Sequence, residues 1–268
     1  MKRSCFVLLL ASASLFGYTD SDMDGVEDSL DECPQTPFTD LVDIHGCSIS
    51  TPSVIHYDLI MDEEYSQINY ASQQYSDTLT TSFEADLYIK NWRLQGLASY
   101  YSADSADTSP TGWNDTLINI FYRVTPTEKL TLTPGFGVVI PTYKSGYHNE
   151  AVDYTALVDF QYRIDSTKYL FGGYSYTWVN DKDVTQAAYQ NTQGFQLGMG
   201  YSLTPKSTVS LSYNQNDTIY QNVKTVQTVS AGYTQTINAH WLAGVNYSYG
   251  LSDSASDHSV IVGLKYHY

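Results

Sequence analysis

Between Asp20 and Asp31 the chain reads D-S-D-M-D-G-V-E-D-S-L-D, with carboxylates at positions 1, 3, 5, 9 and 12 of the stretch and Gly25 at position 6. Calcium is a hard cation that takes ~6–8 oxygens, and loops of this spacing deliver them from those five positions and from the backbone carbonyl at position 7. The expected Ca²⁺ ligands are therefore Asp20, Asp22, Asp24, Asp28 and Asp31, with the carbonyl of Val26. Position 12 is Asp31 and not a glutamate, so its shorter arm reaches less far for a bidentate contact. Cys33-Pro34 follows at once and leaves no room for a flanking helix. Residues 18–64 hold 13 Asp and Glu and no Lys or Arg, so no basic side chain nearby in sequence neutralises the cluster.

The remaining charge bounds the partners. Residues 65–268 carry 16 acids and 11 Lys or Arg, and the whole chain has a net charge of −16. Nucleic acid is excluded as a partner, because no basic stripe exists to displace phosphate counterions. Charged residues make up 16% of the chain, below the roughly one quarter of a soluble domain, while tyrosine reaches 25 of 268 residues. Lys2 and Arg3, then the apolar run Cys5–Ala11, then small residues have the layout of a secretory signal peptide. Cleavage after Ala13 or Gly17 fits; we assign residues 1–17 to the signal, 18–50 to the acidic segment, 51–63 to a linker and 64–268 to the main domain. The run is too short to span a bilayer as a helix, which needs ~20 residues. Cys5 leaves with the signal. The remaining pair, Cys33 and Cys47, in an exported chain points to a disulfide.

From Tyr65 onward the hydrophobic period is two. In the segment 258–268, Val260, Val262, Leu264, Tyr266 and Tyr268 share one face, opposite Ile261, Gly263, Lys265 and His267. Segments 154–164 and 239–250 repeat the pattern with apolar faces that include Phe160 and Trp241. Runs of about 10–12 residues suit tilted membrane-crossing strands. Short connections (Lys90-Asn91, 125–128, 165–167, 204–207, 236–238) alternate with long polar ones (103–113, 141–152, 180–190, 215–222, 252–257), as tight periplasmic turns alternate with outer loops. The expected fold is all-β: a transmembrane, antiparallel, up-and-down β-barrel of about twelve strands, eleven clear from Thr78 on and a weaker first strand at 64–75. Aromatic residues near strand ends (Tyr100, Tyr101, Trp113, Tyr122, Tyr143, Trp178, Tyr201, Tyr249, Tyr266, Tyr268) would form interfacial girdles.

The alternating final strand ending in Tyr268 resembles the closing strand of Gram-negative outer-membrane β-barrel proteins. That resemblance implies an outer-membrane location, contact with lipid and lipopolysaccharide, and a terminal aromatic read by the barrel-assembly machinery. The acidic stretch, with CPQTP and VDIHGC (Val42–Cys47) after it, resembles the thrombospondin type 3 repeat found in linkers of the outer-membrane protein A family. The resemblance implies Ca²⁺ bound by the five aspartates and a Cys33–Cys47 bridge. In that family the linker joins the barrel to a peptidoglycan-binding domain; here a single repeat precedes the barrel. With an even strand number both chain ends lie in the periplasm, which would place the repeat there as a spacer or at the barrel mouth. Gly135–Tyr143 resembles a signature of phenol-degradation-type barrel transporters.

Three functions fit such a barrel. Inward-facing Glu84, Asp86, Arg93, Arg123, Asp159, Arg163, His240, Lys265 and His267 could line a narrow, porin-like conduit for small solutes, or pair up and close it. A barrel hydrolase would need a nucleophile with a base; Asp257-His258-Ser259 and His148 near Glu150 and Asp153 are the available pieces, and adjacent strand residues face opposite ways. We expect no enzymatic activity. An adhesive or structural role would use the acidic outer loops (Asp104, Asp107, Asp115, Glu150, Asp153, Asp181, Asp183, Asp253, Asp257), which divalent cations could bridge to lipopolysaccharide.

Overall fold

The computed structural model describes residues 20, 22, 24–28, 30–34, 36, 42–48, 55–70, 74–105, 109–143, 150–185 and 187–268. The expected signal peptide lies outside them. Fourteen strand segments follow one another: β1 (His56–Tyr70), β2 (Gln74–Ile89), β3 (Trp92–Ser105), β4 (Thr111–Trp113), β5 (Thr116–Tyr122), β6 (Val124–Thr127) and β7 (Leu130–Ile140). The second half comprises β8 (Asp153–Arg163), β9 (Lys168–Trp178), β10 (Thr192–Thr204), β11 (Ser207–Asn216), β12 (Val226–Thr236), β13 (Trp241–Gly250) and β14 (His258–His267). Segments β4, β5 and β6 are pieces of one barrel strand, interrupted at 114–115 and at Arg123, so the sheet has twelve antiparallel strands. Sequential neighbours pair throughout, and β1 pairs with β14, which closes the ring. Tyr268 fastens the seam beyond the last strand, exchanging both backbone hydrogen bonds with Tyr57 at 2.8 and 3.0 Å.

Closure without helices follows from the sequence. The strands are long, their turns are short at one end, and a closed sheet leaves no backbone donor unpaired in a bilayer. The polarity is inverted relative to a soluble protein. Leu211 is 52% exposed and Phe83 and Trp92 50%, while Asp58 is 2% and Asp62 1% exposed. The outer face thus offers an apolar belt to lipid and the inner face the polar groups. Aromatic pairs mark both edges. Trp92–Tyr122 (4.7 Å between rings) and Trp241–Tyr266 (5.0 Å) lie at the end that carries the short turns, and Tyr100–Trp113 (5.4 Å) and Tyr176–Trp178 (5.0 Å) at the other.

Two expectations need correction. The barrel begins at His56, ahead of the expected linker boundary, so 56–63 are strand and not linker. There Tyr57, Leu59 and Met61 face out and Asp58 and Asp62 in, but inward Ile60 and outward Glu63 blur the alternation. Tyr101 also leaves the girdle. It shares the inward parity of Arg93 and Gln95, and its ring lies 6.0 Å from that of Tyr143, at the end that carries the long connections.

Glycine admits aromatic rings to the interior at one notable place. Phe171 and Tyr169 lie flat against Gly198 and Gly200 of β10, where any Cβ would collide with the rings. The periodicity marks these positions only as inward.

Candidate functional site

The interior has three levels. In the half toward the long connections lies a cavity of about 520 Å³ bounded by residues from nearly every strand. Its wall on β9–β14 is hydroxyl- and amide-rich, with Ser175, Gln196, Asn214, Ser230 and Ser248 facing in. A ladder of hydrogen bonds holds these rotamers: Asn214 donates to Ser230 at 3.2 Å, the hydroxyls of Ser230 and Ser248 are hydrogen-bonded at 2.8 Å, and Asn246 donates to Ser248 at 3.2 Å. The facing wall on β5, β7 and β8 presents Leu117, Val139 and Leu157. Glu64 and Asp159 are the charged residues of this cavity.

Beneath it lies a layer of paired charges. Asp58 accepts from Lys265 Nζ at 2.5 Å, meets His267 Nδ1 at 2.7 Å and accepts from Tyr88 Oη at 3.2 Å. Arg93 Nε lies 3.9 Å from Asp86, and its guanidinium stacks on Phe121 at 4.0 Å. Gln95 links the layers, donating to Glu84 at 2.8 Å and accepting from Asn119 at 2.9 Å. Buried ion pairs are tolerated only with such geometry, because desolvation opposes them.

The lowest level is the acidic segment itself, which sits in the barrel mouth formed by the short-turn end. Glu27 accepts a short hydrogen bond from Thr236, the last residue of β12. Gly25 lies against the ring of His56, which leaves no space for a Cβ, and its φ of 97° independently demands glycine. Asp20 and Gly25 border a cavity of about 160 Å³ with Tyr88, Arg93, Phe121 and Arg123, on the β2–β7 side. Glu27 and Leu30 line another small space with His240, Leu242, Lys265 and His267, on the β12–β14 side. The loop therefore spans the mouth from wall to wall.

Within the loop, one carboxylate oxygen from each of Asp20, Asp22 and Asp24 lies within 4.8 Å of the others. Asp24 is 5% exposed, and its Oδ2 has no hydrogen-bond partner. That oxygen and the Asp31 carboxylate both approach Gly46, whose φ is 74°. Burial pushes the Asp24 carboxyl up to about 7, and burial reinforced by the neighbouring Asp24 charge pushes Asp20 well above the carboxylate range. Val26 is buried; Asp28 is half-buried and stands outside the three-carboxylate group. Cys33 and Cys47 are bonded to each other. Thr36, which the spacing did not single out, braces the loop: its N–H donates to Asp22 at 2.8 Å and its hydroxyl reaches the carbonyls of Cys33 and Gly46 at 2.8 and 2.6 Å.

Other expected residues lie elsewhere. Arg163 sits at the rim, donating to the Glu128 carbonyl at 2.9 Å, and His240 Nδ1 is 3.0 Å from the His267 carbonyl in the β12–β13 turn region. His258 turns outward and holds Tyr247 Oη at 2.6 Å, while Ser259 is buried inside, so the two cannot act together. His148 and Asp107 lie outside the described residues. The outer aspartates tie loops together. Asp181 accepts from the N–H groups of Glu150 and Ala151 at 3.0 and 2.9 Å, Asp153 from Asn180 at 2.7 Å, and Asp115 from Tyr143 at 3.0 Å. Asp253 pairs with Lys224.

No protein-family model matches the chain, and no curated protein matches it by sequence. Solved structures do match in fold. The chain is similar to the COG4313 outer membrane channel from Pseudomonas putida F1, with a TM-score of 0.69 and 10% identity, over 81% of this chain and 97% of that one. It is also similar to the NanC porin, with a TM-score of 0.56 and 13% identity over 78% and 98% of the two chains. The shared feature is the fold of outer-membrane channel barrels.

Proposed function

We propose that the chain is a narrow outer-membrane channel for small solutes, favouring cations and uncharged polar molecules, with its first segment held on the periplasmic side by Ca²⁺. The observation that carries this is the cavity of about 520 Å³, polar along β9–β14 and apolar along β5, β7 and β8, inside a ring whose outside is apolar. A hydroxyl and amide wall replaces part of a solute's hydration, and the acids Glu64 and Asp159 repel anions. The likeness to outer-membrane channels supports the location and the passive mode of transport. The converging aspartates fit a calcium ion, since three carboxylates, a buried unpartnered oxygen and a glycine turn offer hard oxygen ligands. Calcium would supply the charge that lets Asp20, Asp22, Asp24 and Asp31 lie together.

Planar-bilayer recordings test the conduit. With Ca²⁺ chelated, discrete, small, cation-selective steps are expected. In a water-filled lumen a carboxylate about 5 Å from the ion path favours a cation and disfavours an anion by on the order of 1 kcal/mol each, so Glu64→Gln with Asp159→Asn should lower the cation-to-anion ratio by more than about tenfold even with salt screening. Unchanged selectivity would count against the assignment of these acids. A second reading, a closed structural or adhesive barrel, is favoured by the ion-paired layer around Asp58 and predicts silence in the same recordings.

A further inference from the structure

We propose that the Asp20–Asp31 loop is a calcium-seated stopper of the periplasmic mouth, closing the lumen when Ca²⁺ is bound and leaving it when Ca²⁺ is withdrawn. The inference rests on the conduit and calcium readings above and adds a control element to them.

Three observations carry it. First, the loop is anchored on opposite walls. Glu27 is held by Thr236 and lies beside His240 and Leu242, while Gly25 abuts His56 and Asp20 faces Arg93, Phe121 and Arg123. A segment touching both sides of a narrow ring lies across the path of a solute. Second, the loop enters the mouth with its acids inward: Asp20 is 4% and Asp24 5% exposed, and the mouth offers Arg93, Arg123 and Lys265 on the barrel side. Third, Asp24 Oδ2 is buried without a hydrogen-bond partner on the side where the Asp31 carboxylate meets Gly46, and Asp24 also belongs to the carboxylate group formed with Asp20 and Asp22. An acceptor buried in that way is stabilised by a cation and not by a further acceptor.

The coupling follows by linkage. Without the ion, crowded carboxylates repel one another, and the loop loses the shape that places Glu27 under Thr236 and Gly25 under His56. Whatever factor Ca²⁺ contributes to seating, seating returns to Ca²⁺ affinity. At Ca²⁺ about 100 times its Kd, the ratio of seated to released loop rises about 100-fold when only the seated form binds. Cys33–Cys47 and Thr36 keep the far end of the loop folded in either state.

The test uses the full mature chain in planar bilayers, with Ca²⁺ or a chelator on the periplasmic side, beside digestion by an Asp- and Glu-directed protease. In Ca²⁺ the expected record is closed with the 20–32 region protected; chelation should open it and expose the region to cleavage. Thr236→Val removes the barrel-side donor and touches no calcium ligand. It should leak in Ca²⁺ and bind one Ca²⁺ per chain with reduced affinity by calorimetry. Equal, measurable conductance in Ca²⁺ and chelator, or a conducting barrel that binds no calcium, would overturn the stopper and leave the conduit standing. A barrel silent in both conditions, although its loop is released to the protease, would sink the conduit reading and the stopper with it. Thr236→Val that changes neither conductance nor Ca²⁺ affinity would overturn the seating contact.

Discussion

Asp58→Ala should destabilise the folded barrel by about 3–5 kcal/mol, the range for removing one partner of a buried ion pair. Asp58 is 2% exposed and is the common acceptor for Lys265, His267 and Tyr88. Its removal takes away the carboxylate that holds the Lys265 ammonium at ion-pair distance, where that side chain is only 10% exposed. Lys265→Met in the same chain removes the buried charge that Asp58 balanced, so the double variant should recover most of the loss. Reversible urea unfolding in lipid vesicles, followed by tryptophan fluorescence, gives both numbers. A loss below about 1 kcal/mol, or a double variant no better than Asp58→Ala alone, would show that the pair is not buried as described.

Leu211→Arg should cost about 2–4 kcal/mol, the measured scale for a cation placed on the lipid face of a barrel near the bilayer centre. One position on, Ser212→Arg should cost much less, since its side chain enters water inside the ring. Leu211 is 52% exposed on the outside and Ser212 6% exposed on the inside of β11, midway along the strand. Ser212→Arg should instead reduce conductance, because a long cation then stands near the cavity wall beside Ser210 and Asn214. The same unfolding assay and the same recordings separate the two effects. Equal destabilisation at both sites would contradict the two-faced strand.

Much of this architecture is legible in the chain. Period-two patterning fixes the inward set in β14, where Lys265 and His267 alternate with Leu264 and Tyr266, and the short and long connections give the strand count. The gathering of Asp20, Asp22 and Asp24 is legible from spacing alone, because these residues are local. What escapes is whatever depends on distant partners. Glu27 and Thr236 are 209 residues apart, and nothing in either neighbourhood announces the contact. The true start of β1 is hidden by its function: a strand that lines a charged lumen carries Asp58, Asp62 and Glu64 and reads as an acidic linker. Tyr101 shows the opposite failure, since a tyrosine near a strand end suits a lipid girdle and a polar mouth equally well. The inward rings of Tyr169 and Phe171 are accommodated by Gly198 and Gly200 on the next strand, a cross-strand match that no single-strand pattern reveals.

Side-chain direction along β11 is the most direct thing to measure. Nitroxide labels placed one at a time from 209 to 214, in lipid vesicles, report access to oxygen dissolved in the bilayer and to a water-soluble nickel complex. The expected record alternates, with high oxygen access at Val209, Leu211 and Tyr213 and high nickel access at Ser210, Ser212 and Asn214. Uniform access along the strand, or nickel access at 211 with oxygen at 212, would contradict a ring that turns its apolar side to lipid and holds water within.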